Sequence, residues 1–130
     1  MNSCENLSLR AYAHIGDAVY EVFVREKTIF LTAKPERIHK ITVALVNAEF
    51  QANMLEKLDE FFNEEERELA RRGRNLAVTT ARRTNHTLHR LSTAFEAVIG
   101  YLHLTNKKRL SELWEFLTPF IEEKLKEIGF

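Results

Sequence analysis

The sequence predicts an all-α fold, on three observations. Apolar residues recur at three- and four-residue spacing, as at Leu9, Tyr12, Ala13, Val19, Tyr20, Phe23 and Val24, which is the period of a helix with a buried face. No alternating apolar and polar run is long enough for a strand. The composition, 45% apolar and 29% charged with four Gly and two Pro in 130 residues, is that of a packed globular chain of one-domain size. One compact helical domain over residues 1–130 is the expectation, with no internal repeat and no linker to divide it.

The first helix is read from Ser8 to Lys27, with Asn6 or Ser8 as its cap. Ile15, Ala18 and Val22 fall on its other faces, so it reads as a central and largely buried helix. Pro35 suits a helix first turn, and Ile38, Ile41, Leu45, Ala48, Ala52 and Leu55 continue the period to about Leu58, with a break near Asn47. Asn63 before Glu64, Glu65 and Glu66 reads as a cap followed by acids that complement the dipole of a short helix ending around Arg74. Periodicity lapses between Asn75 and Thr84, where the β-branched Val78, Thr79 and Thr80 indicate a mobile loop or irregular turn carrying arginines. Asn85 is placed to cap a second strongly apolar helix, with Leu88, Leu91, Phe95, Val98, Ile99 and Leu102 in one stripe up to about Leu104. From Lys107 to Ile128 the chain is amphipathic, and a bend is expected where Pro119 removes a backbone donor.

The lone Cys4 excludes an internal disulfide and a cysteine-rich zinc cluster, and points to a reducing cytosol. No apolar run reaches the roughly 20 residues of a membrane helix, and the first ten residues do not read as a signal peptide. A cytoplasmic protein is expected. Lys plus Arg and Asp plus Glu both number 19, yet the neutral total conceals two blocks. Residues 49–68 hold eight acids against Lys57 and Arg67, and residues 71–90 hold six arginines and no acid. Arginine's planar fork suits phosphate, although like-charge blocks also occur on ordinary solvated surfaces.

Two carboxylates stand where the pattern asks for apolar residues. Asp17 lies in HIGDAVYEVF and Glu96 in TAFEAVIGYL, inside the two most apolar helices. An ionised group buried there costs several kcal/mol unless it is paired, hydrogen-bonded or metal-bound. If the helices cross near Gly16 and Gly100, the absent side chains allow a close approach that brings both carboxylates to one divalent cation. Oxygen ligands favour magnesium or manganese over zinc. The alternatives are an ion pair with Arg10 or Arg25, or a Glu96 that points to solvent; Glu21, one turn after Asp17, is a third candidate ligand or a surface residue. The histidines His14, His39, His86, His89 and His103 lack catalytic zinc spacing, and neither a nucleophile motif nor a glycine-rich phosphate loop is present.

IGDAVYEVFVR, the RRGRN at Arg71 to Asn75, and TAFEAVIGYLHL, in this order and separation, resemble the ribonuclease III catalytic domain, most closely its small bacterial and plastid form, Mini-ribonuclease III. The similarity runs from about Leu7 to Leu125 and includes His39–Lys40, Gln51–Ala52 and the acidic run before the arginines. It implies the all-helical ribonuclease III endonuclease-domain fold, working as a homodimer on double-stranded RNA. It further implies magnesium-dependent hydrolysis, with manganese able to substitute, that leaves a 5′-phosphate, and maturation of precursor large-subunit (23S) ribosomal RNA. By the same resemblance Asp17 and Glu96 are the catalytic, metal-binding acids. Larger family members carry glutamate where Ala13 stands and aspartate where Thr93 stands, so this site is reduced to two carboxylates, as in the small form. A catalytically inactive, RNA-binding or ribosome-associated relative is the alternative.

No separate double-stranded-RNA-binding domain is expected, so RNA contact falls to Arg71, Arg72, Arg74, Arg82 and Arg83. Arg72 or Arg74 could instead serve the scaffold, with Gly73 as a turn. Tyr12, Tyr20 and Phe23 are candidates for the dimer interface or for the subunit interior.

Overall fold

The computed structural model describes residues 7–76 and 86–130. Arg82, Arg83, Cys4, the Asn85 cap and most of the expected 75–84 loop lie outside the described residues. Within them the chain forms α1 (Leu9–Thr28), α2 (Pro35–Val46), α3 (Ala48–Leu58), α4 (Glu64–Arg74), α5 (His86–Thr105) and α6 (Lys107–Glu127), with no strand.

Each boundary has a local cause. Ser8 caps α1 by accepting from the Ala11 N–H at 3.1 Å. Asn47 makes the expected break, closing α2 and opening α3 with one side chain. Its Oδ1 accepts from Phe50 N at 2.7 Å, while its Nδ2 donates to the carbonyls of Val43 (3.0 Å) and Ala44 (3.3 Å), so both helix ends have orphan groups satisfied at once. Asn63 and Glu66 form a reciprocal capping box on α4. Asn106 caps α6 through Arg109 N at 3.1 Å, and α6 runs on as helix through Pro119.

The centre of the molecule is α5, packed against α1, α3, α4 and α6. It buries Ala94, Phe95, Ala97, Val98, Ile99, Gly100 and Leu102. The expectation that the first helix is central and largely buried does not hold for α1. It buries a stripe through Leu9, Tyr12, Ala13, Gly16, Tyr20 and Val24, whereas Asp17 and Ala18 are exposed and Val22 is 54% exposed. Only α5 is enclosed on several sides, and α1 forms one wall around it. Asp17 is therefore a surface carboxylate, not a buried one.

Tyr12 and Tyr20 belong to the interior, which removes them as interface candidates. Tyr20 donates its hydroxyl to the Leu45 carbonyl at 2.6 Å and sets its ring edge-on to Phe95. Burial pushes its phenol pKa well up, so it remains a protonated donor that ties α1 to α2. Half-buried Phe23 stacks on Trp114 at 4.0 Å.

A buried ion pair joins α4 to α6. Glu66 is 1% exposed and receives the Arg109 fork at 2.7 and 2.8 Å. Arg109 also donates to the Phe61 carbonyl at 2.8 Å and lies over the Phe61 ring at 3.8 Å. A bidentate fork with its remaining donor capacity used is the geometry in which a buried pair offsets its desolvation.

Candidate active site

The two glycines set the geometry. A Cβ on Gly16 would run into the carbonyl oxygen of Glu96 and lie 2.9 Å from Gly100 N; one on Gly100 would meet the Tyr12 carbonyl and Ile15 Cγ2. Backbone thus rests on backbone where α1 crosses α5, as the pattern around Gly16 and Gly100 led one to expect. Asp17 follows Gly16, and Glu96 lies one turn before Gly100.

At this crossing Asp17 and Glu96 come within hydrogen-bonding reach of each other. The Glu96 pKa is pushed up to about 8, first by burial, then by the negative charge of Asp17 and the hydrogen bond shared with it, with a further contribution from Glu21; a hydrogen bond from Gln51 acts the other way. Two carboxylates so close favour either one shared proton or a cation between them. Arg25 pairs with Glu21 at 2.8 Å rather than serving as the partner considered for the two acids. Glu96 is half-buried and faces Asp17 rather than simply pointing at solvent.

Among the described residues no group of three or more His, Cys, Asp and Glu is arranged to hold a metal. Glu21, the third candidate, adds negative charge that helps raise the Glu96 pKa. Ala13 is buried, and the Thr93 hydroxyl is turned back to the His89 carbonyl at 2.9 Å, so neither position supplies what a carboxylate would. The donor set is two carboxylates on the rim of a helix crossing. Its all-oxygen chemistry fits a hard divalent cation whose other ligands are water and substrate.

Gly73 is not a turn but part of α4. A Cβ there would stand 2.8 Å from Ala94 Cα, so its absence lets the last turn of α4 lie on α5 two residues from Glu96. This contact seats the RRGRN motif on α5 at Ala94. Arg71, Arg72 and Arg74 are exposed. Arg71 is forked on Glu68 at 2.9 and 2.7 Å, and Arg74 lines a cleft of about 300 Å³ with Arg67, Phe62 and Leu91.

Two polar residues next to Glu96 in the structure were not singled out as site candidates from the sequence. Gln51 is 1% exposed, and Ser92 donates its hydroxyl to Gln51 Oε1. The signal available for Gln51 was a polar residue at a buried helical position in the Gln51–Ala52 pair. Ser92 had none.

Comparison with known proteins identifies the family. The family described as "Ribonuclease III domain" matches residues 10–107. The chain is 43% identical over 119 residues to "Mini-ribonuclease 3" of Thermosynechococcus vestitus, covering 89% of this chain and 77% of that protein. It is 35% identical over 128 residues to the Staphylococcus aureus protein of the same name, covering 95% and 96%. A crystal structure of a Fusobacterium nucleatum protein matches in fold with a TM-score of 0.80 at 24% identity, over 93% of this chain and 98% of the other. By profile and by sequence, the chain belongs to the ribonuclease III family, in its Mini-ribonuclease 3 branch, and is a double-strand-specific endoribonuclease.

Proposed function

We propose that this chain is a magnesium-dependent nuclease, with manganese able to replace magnesium, in which Asp17 and Glu96 hold the cation. Its task is to mature the ends of precursor 23S ribosomal RNA in the cytoplasm. The observation that carries the reading is the carboxylate pair at the α1–α5 crossing, where Asp17 helps raise the Glu96 pKa to about 8. A cation at this place supplies polarisation of the scissile phosphate and activation of water at neutral pH.

The chain's own residues do the rest. Gly16 and Gly100 hold the two acids at a fixed separation by backbone contact. With only two carboxylates, the remaining ligand positions are left for water and for phosphate oxygens of the substrate. Arg71, Arg72 and Arg74, with Arg82 and Arg83 from the segment that follows, hold backbone phosphates of the duplex, since A-form RNA is recognised by shape, phosphate and 2′-hydroxyl contacts. Among the described residues no helix is long and apolar enough to cross a membrane.

Asp17→Asn and Glu96→Gln remove charge with little change of volume. Each is expected to lower magnesium-dependent cleavage of duplex RNA at least a hundredfold while leaving thermal unfolding and oligomeric state unchanged. Near wild-type turnover at saturating magnesium in either variant excludes that residue as a ligand.

Two antiparallel strands, each cut once, call for two sites related by a twofold axis, and closed twofold dimers are the commonest assemblies. The homodimer is supported by apolar side chains left uncovered on α1, α2 and the connection between them: Val22 at 54%, Ile29 at 63%, Phe30 at 91% and Val43 at 51% exposed. An unpartnered patch of this kind marks an interaction surface. Sedimentation at micromolar concentration should give the dimer mass, and a fully active monomer would contradict it.

A further inference from the structure

Among the described residues Gln51 is the one fully buried amide, and it adjoins Glu96 of the carboxylate pair. On α3 it stands among the buried Phe50, Ala52, Met54, Leu55 and Leu58, where a leucine would fill the space without any polar group to satisfy. A buried primary amide needs partners at both ends. Ser92, one turn before Glu96 on the same helix, takes the carbonyl end by donating to Oε1. The amide is planar, with its two ends opposed. With Oε1 held by Ser92, Nε2 is the end left for Glu96, one turn on along α5, and a side-chain hydrogen bond from Gln51 favours the charged form of that carboxylate.

We infer that Gln51 is a positioning residue for RNA cleavage: anchored at one end by Ser92, its amide holds the Glu96 carboxylate in the orientation in which it meets the cation together with Asp17. This rests on the assignment of Glu96 as a metal-binding residue. A glutamate side chain has three rotatable bonds, and ordering them carries an entropic cost if cation binding must do so. In a site of two carboxylates that cost falls heavily on affinity. A rigid donor that fixes one of them beforehand removes it, as outer partners of metal ligands do in general.

Gln51→Leu preserves volume and removes the amide, and Ser92→Ala frees the far end of the amide while leaving it present. Three readouts separate the roles: the magnesium concentration at half-maximal cleavage, manganese binding to the RNA-free protein followed by electron paramagnetic resonance, and thermal unfolding without metal. Gln51→Leu is expected to weaken manganese binding and raise the magnesium midpoint by about tenfold, with KM for RNA unchanged and kcat largely recovered at saturating magnesium. Ser92→Ala should shift both in the same direction by less. The double variant should be no worse than Gln51→Leu, because Ser92 acts through the amide. Unchanged manganese affinity in folded Gln51→Leu overturns the inference, and if that variant does not fold, unchanged affinity in Ser92→Ala does so. A further shift when Ser92→Ala is added to Gln51→Leu also overturns it. Glu96→Gln separates this failure from that of the underlying assignment. If that variant binds manganese like the wild type, Glu96 is not a ligand; if it loses the cation while Gln51→Leu and Ser92→Ala keep it, only the positioning role falls.

Discussion

Glu66 shows how one side chain can be correctly assigned to a local task and still conceal a larger one. Its position three residues after Asn63 marks it as an acid complementing a helix start, and it does complete the capping box. What the spacing does not reveal is that this carboxylate is buried beneath Arg109, 43 residues along the chain, because the pairing depends on how α6 returns across α4. Burial acts to raise its pKa, but the Arg109 fork, the Asn63 N–H and the positive charge of Arg109 together outweigh burial and hold it below the ordinary 4.5. A group whose folded pKa is depressed stabilises the fold above its unfolded value, and that contribution is lost as pH falls through the folded value. Glu66→Gln should therefore lower the melting temperature at neutral pH, and the gap to wild type should narrow as pH falls below about 4.5. A gap that stays constant from pH 7 to pH 3 would show that the charge of Glu66 contributes nothing. Asp17 is the opposite case. Its neighbours suggested burial, but the helix around it covers only one side of the core, so its meeting with Glu96 was legible while its exposure was not.

At the scale of elements, the six helices were legible because capping residues and apolar period agree at nearly every boundary, and Asn47 could be read as a break because both signals change there. The rank of the two apolar helices was not legible. Both α1 and α5 carry apolar residues on more than one face, and only the placement of α1, α3 and α4 around α5 makes one central and leaves Val22 of the other uncovered. Glycines at the helix crossings decide how tightly that arrangement closes. Gly16→Ala drives a methyl into backbone atoms of Glu96, whereas Gly73→Ala meets Ala94 Cα at 2.8 Å and its Cβ at 3.2 Å. Replacing a helical glycine by alanine gains about 1 kcal/mol of propensity, and overpacking costs about 1–3 kcal/mol or more. The clash outweighs the gain at Gly16, and the two come closer to balance at Gly73. Urea unfolding should find Gly16→Ala destabilised by at least 2 kcal/mol and Gly73→Ala by less; the reverse order would mean that the α1–α5 crossing yields more easily than the α4–α5 contact. Cleavage should fall with Gly16→Ala beyond its loss of stability, since moving α1 separates Asp17 from Glu96.

Across the whole molecule, charge separation along the chain becomes arrangement in space. The acidic block supplies Glu66 to the interior and Glu68 to the surface, and the arginine motif emerges on the end of α4 that Gly73 lays against α5. The Arg71–Glu68 pair, with both side chains 55% exposed, is a solvent-screened surface contact, so Arg71 can exchange its carboxylate for a phosphate at little cost. If Arg71, Arg72 and Arg74 hold phosphates away from the scissile bond, losing one removes binding expressed equally in the ground and transition states. KM then rises severalfold while kcat barely changes. Each lost contact should also reduce the slope of log affinity against log salt by somewhat less than one unit, the value for duplex DNA. Asp17→Asn must behave in the contrary way, with kcat lost and RNA affinity kept. Single alanine variants measured for duplex binding across salt concentration, and for melting temperature, assign each arginine. Lower affinity with a shallower salt slope and unchanged melting makes it a phosphate contact, whereas unchanged affinity with lowered melting makes it part of the scaffold that seats α4 on α5.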